Sequence, residues 1–93
     1  MDINEKIELA IKSINDFLNG NISSESIENL WNAEMNDEIF NEAFHTLMHY
    51  ISDIDIRRKD PKYSVYQSEE LNECVNKLLK SKTTKNGNSR QLQ

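Results

Sequence analysis

Ninety-three residues with a net charge of −5, 37% apolar side chains, two glycines and one proline make one small acidic domain, near the lower end of what folds on a single core. So few turn residues exclude a β-sandwich, and no apolar run approaches the roughly eighteen residues that span a membrane. Residues 1–55 carry twelve carboxylates against Lys6 and Lys12, whereas residues 56–93 carry nine basic groups against four carboxylates. Such a concentrated negative field repels nucleic acid and draws cationic partners.

The opening MDINEKIELA is acidic and amphipathic, unlike a secretory signal. Over residues 3–19, Ile3, Ile7, Ile11, Ile14, Phe17 and Leu18 recur at three- and four-residue steps, the apolar stripe of a first helix. Gly20 suits its end. Ser23 reads as the N-cap of a second helix, with Ile22 and Ile27 as its staple, running to about Met35 and burying Ile27, Leu30, Trp31 and Ala33. Asn36 or Asp37 caps a third helix whose face is Ile39, Phe40, Ala43, Phe44, Leu47, Met48 and Ile51. The pattern fades after Ser52, and the alternation in DIDI predicts an extended or turning segment. Asp60–Pro61 suits a short helical turn, in which Tyr63 and Tyr66 pack together. Ser68 caps the final helix, with Leu71, Cys74, Val75, Leu78 and Leu79 inward. From Ser81 the chain loses its period and reads as a disordered tail. The expected fold is all-α: a small antiparallel four-helix bundle over residues 1–80, with the tail at 81–93.

His45 and His49 stand four apart beside Glu42 and Asp53, a spacing that can hold a metal, but no HExxH accompanies them and no Cys lies near in sequence. The expectation is therefore no metal and no cofactor. The lone Cys74 cannot form an internal disulfide and falls on an apolar helix face, where a thiol acts as a small hydrophobe rather than a nucleophile. No nucleophile elbow or phosphate loop is present, so the chain does not read as an enzyme. The basic groups of IRRKDPKY follow directly on Asp53 and Asp55 and have Asp60 among them, which argues against direct nucleic-acid binding. Glu38 and Glu42 lie at one end of the third helix and Asp53 and Asp55 at the other, with Tyr50, Tyr63 and Tyr66 near the second cluster. Carboxylates around aromatic anchors suit an inhibitor that covers a cationic site, and equally a bundle whose surface charges only solvate it.

In their order and spacing, IKSINDFLNGNISSESIENLW, FHTLMHYISDIDI and SEELNECVNKLL resemble the bacterial self-protective, colicin-like immunity proteins of the colicin D type. The resemblance covers residues 7–80 and rests on an F-L-x-x-x-I-S start, an acidic D-x-D after the third helix and an E-x-L-x-x-x-V-x-x-L-L close. It implies a bacterial cytoplasmic protein that binds, one to one, the C-terminal nuclease domain of a colicin or contact-dependent growth inhibition toxin, often a transfer-RNA-cleaving one. Acidic side chains then stand where the RNA phosphates would sit. By matched position these are Asp53 and Asp55, with Asp60 nearby; Glu38 and Glu42 come from the charge reading alone. Tyr63 and Tyr66 are then anchors, and residues 49–67 a recognition loop. The alternative is an acidic helical adaptor or regulatory module with no toxin partner.

Overall fold

In the computed structural model, which describes residues 2–82, Asp2 and Glu5 cap each other's backbone to start α1 (Ile3–Leu18). The Asp2 carboxylate accepts from the Glu5 N–H at 2.8 Å, and the Asp2 N–H donates to Glu5 Oε1 at 3.2 Å. Gly20, at φ +79°, takes the left-handed turn after the helix, which costs a residue without Cβ little. Ser23 accepts from the Ser26 N–H at 3.1 Å and opens α2 (Ser24–Glu34). A 3-10 turn (Glu38–Phe40) leads into α3 (Asn41–Ser52), followed by α4 (Ile54–Lys59) and α5 (Pro61–Ser81).

The described chain is thus all-helical, but with five α-helices instead of four. Two expectations fail in the same region. The segment after Ser52 turns at Asp53 alone and is otherwise neither extended nor a loop: the Asp53 N–H still reaches the His49 carbonyl, and α4 begins at the next residue. Ile54 and Ile56, whose alternation suggested extended chain, are both exposed, so their spacing encodes no burial. The last helix begins at Pro61, not Ser68. Asp60 is its cap, accepting from the N–H groups of Lys62 and Tyr63 at 3.1 and 3.4 Å, with Pro61 in the first turn, where its missing N–H costs nothing. Ser68 lies inside the helix. The tail expected at 81–93 lies, apart from Ser81 and Lys82, outside the described residues.

The core joins Ile7, Ala10 and Ile14 of α1, Ile27 and Trp31 of α2 with Met35 just beyond it, Phe40, Ala43 and Leu47 of the 3-10 turn and α3, and Leu71, Cys74 and Leu78 of α5. Trp31 stacks on Phe44 and meets Phe40 edge-on, at centroid distances of 6.1 and 6.0 Å. Its indole N–H donates to the buried Ser13 hydroxyl at 2.8 Å, which in turn donates to the Ala10 carbonyl at 2.7 Å. Ile39 and Leu79, expected inside, are exposed; Leu30 is half-buried and Ala33 faces solvent. The longest helix, α5, packs against α1, α3, α4 and the 3-10 turn. Among the described residues no helix is long and apolar enough to cross a membrane.

Candidate protein-binding surface

The region expected to be a recognition loop is a helical corner held together by its own polar side chains. Asp53, at the junction of α3 and α4, turns toward α5, where its Oδ2 accepts from the Tyr63 hydroxyl at 2.7 Å and from the Gln67 amide at 3.0 Å. The Gln67 amide also reaches the Tyr63 oxygen at 3.2 Å. On its other side, Gln67 Oε1 accepts from the Arg57 guanidinium at 2.7 Å. That guanidinium lies 3.6 Å from the centre of the Tyr50 ring and donates to the Tyr50 carbonyl. One network therefore ties α3, α4 and α5, and it uses much of the charge and aromatic surface of residues 49–67 internally.

The seven expected site residues separate accordingly. Asp53 and Tyr63 are brought together, facing each other inside the corner. Asp60 is spent on the α5 cap. Asp55 points outward, with only a loose 3.9 Å approach to Arg58. Glu38, in the 3-10 turn, is exposed; Glu42 is ion-paired with Lys77 of α5 at 3.0 Å. The twelve residues of α3 hold these last two about 18 Å from the Asp53–Asp55 end, so the expected carboxylates do not form one patch. Tyr66 packs on Tyr63, centroids 6.2 Å apart, yet is 53% exposed, with its hydroxyl donating to Glu70 at 3.1 Å.

Around Tyr66 the outward face of α5 forms a shallow groove of about 500 Å³ lined by Glu69, Glu70, Asn72, Glu73 and Asn76. Glu69 and Glu73 are exposed and have no ion-pair or hydrogen-bond partner among the described residues. Val65, 60% exposed, adds apolar surface next to Tyr66. Arg57, Gln67, Glu69 and Glu73 were not singled out from the sequence. Tracing one helix from Asp60 would have found Gln67, Glu69 and Glu73, which lie three, four or seven residues after Tyr63 or Tyr66 on that helix; Arg57 lies upstream, in α4.

The hydrogen bond to Asp53 holds the Tyr63 phenol above its ordinary range, and the bond to Glu70 does the same for Tyr66. The bond to Glu42 raises Lys77. Burial pushes the Cys74 thiol up, the reverse of what activates a cysteine nucleophile. Comparison of the chain with known protein families, curated proteins and solved structures gives no match.

Proposed function

We propose that the chain is a cytoplasmic immunity protein that binds, one to one, the nuclease domain of a bacterial toxin and covers its cationic active site without doing chemistry itself. The same reading takes α1, α2, α3 and α5 as an antiparallel four-helix body, with α4 as a short corner piece. The observation that carries it is the α5 face: Tyr66 is half in solvent and held by Glu70, with Glu69 and Glu73 unpaired beside it. An oriented aromatic ring supplies contact area at low entropic cost. Unpaired carboxylates around it give up no existing ion pair when they meet lysine or arginine. A nuclease cleft built for phosphates offers those groups, and opposite fields speed encounter while rejecting wrong partners. Asp55 and Glu38 extend the negative field; Asp53 acts by positioning Tyr63.

The test mixes the purified protein with the nuclease domain encoded in the neighbouring gene. A one-to-one complex is expected, weakening as salt rises because the contacts are charged. Tyr66→Ala should cost about 2 kcal/mol or more of binding, and Glu69→Lys with Glu73→Lys should slow association while the helical circular dichroism stays unchanged. Full inhibition by the double charge reversal would show the α5 face to be the wrong surface. Absence of any complex in dilute buffer would remove the immunity reading and favour the adaptor.

A further inference from the structure

We propose that His45 and His49 form a two-imidazole chelate for a divalent transition-metal ion of the zinc, nickel or copper type, independent of the toxin-binding reading. The four-residue spacing puts both rings on one face of α3, and the structure adds what spacing alone leaves open. The two Nε2 atoms stand 3.1 Å apart, with the rings edge to face and their centroids 4.5 Å apart. A metal ion makes bonds of about 2.0–2.1 Å to imidazole nitrogen. An ion at that distance from both nitrogens subtends an N–metal–N angle of roughly 95–102°, between the octahedral and tetrahedral values. The pair therefore already stands at the separation a shared ion imposes.

Both rings are exposed and open onto a recess of about 200 Å³ lined by His45, Met48, His49 and Ser52. The recess leaves room for water on the remaining coordination positions. Among the described residues no third His, Cys, Asp or Glu completes a cluster. The site is thus open and exchangeable rather than a closed structural zinc site. Imidazole nitrogen selects zinc, nickel and copper over magnesium or calcium, which prefer oxygen. The excess of carboxylates in residues 1–55 raises the local concentration of any cation.

Before binding, one ring donates its Nε2 proton to the other's Nε2. In the chelate both rings carry their proton on Nδ1, so both Nε2 lone pairs face the metal. The donating ring changes tautomer, and no net proton leaves.

The experiment titrates zinc chloride, then nickel chloride, into the full chain at neutral pH in a non-chelating buffer, by calorimetry and by melting temperature. The expected result is saturable zinc binding that raises the melting temperature, with no response to magnesium. His45→Gln and His49→Gln should each weaken binding at least about tenfold, because the second imidazole binds intramolecularly. Both side chains are exposed, so both variants should keep wild-type helicity. Absence of zinc binding at about a thousandfold excess over protein overturns the site. So does a loss confined to one of the two variants, which marks a single-histidine contact.

Discussion

Ser13 and Gln67 are the buried polar side chains of the described core, and each is fully used. The Ser13 hydroxyl accepts from Trp31 and donates to Ala10; the Gln67 amide accepts from Arg57 and donates to Asp53 and Tyr63. Removing such a group leaves its partners desolvated and unpaired, which costs about 1–3 kcal/mol. Ser13→Ala should lower stability by that amount, read in urea unfolding followed by the single tryptophan; a shift under about 0.5 kcal/mol would mean that the indole N–H finds water instead. Gln67→Leu keeps the size but strands the Arg57 and Asp53 contacts, so it should destabilise by a similar amount despite being apolar and buried. Cys74 adds a chemical readout. Buried and with its thiol pushed up, it should react slowly with a thiol reagent in native protein and rapidly once unfolded.

Elements held by apolar stripes were legible in the sequence. Ile7 and Ile14, or Ala43 and Leu47, recur at helical steps and are all buried, and Gly20 and Ser23 mark a stop and a start that the structure keeps. The corner was illegible because α4 buries none of its residues; its order comes from Arg57, and a polar bond leaves no hydrophobic period to read. Ser68 misled for a related reason: Ser-Glu-Glu suits a first turn and is also tolerated inside a helix, and only the Asp60–Pro61 cap upstream decides between them. Six residues cannot hold a helix alone. Arg57→Ala should therefore release α4 locally: its amides should exchange much faster with deuterium while those of α1 and α3 keep their protection. Uniform loss of protection across all helices would show instead that the corner is part of the global unfolding unit.

At the scale of the whole molecule, four shifted groups among the described residues act in the same direction. Tyr63 and Tyr66 are raised from 10.0 by their carboxylate partners, Lys77 from 10.5 by Glu42, and Cys74 from 9.0 by burial. A raised value in the folded state means that the folded protein holds a proton the unfolded chain has already released. Stability then falls with rising pH wherever the two differ in bound protons. The contribution is fully present below the unfolded values and is lost as pH climbs through the higher folded ones, above 9.0 for Cys74, above 10.0 for the two tyrosines and above 10.5 for Lys77. The urea midpoint should accordingly be lower at pH 10.5 than at pH 8. Tyr63→Phe should be less stable at pH 8, because Asp53 loses a donor, yet should lose less between the two pH values, because one proton is gone from the balance. The exposed ion pairs do not alter this sign, since each contributes no more than about 1 kcal/mol. An equal drop for wild type and Tyr63→Phe would show that the Tyr63 hydroxyl does not donate to Asp53 in solution, and the polar corner would lose its link to α5 through that ring.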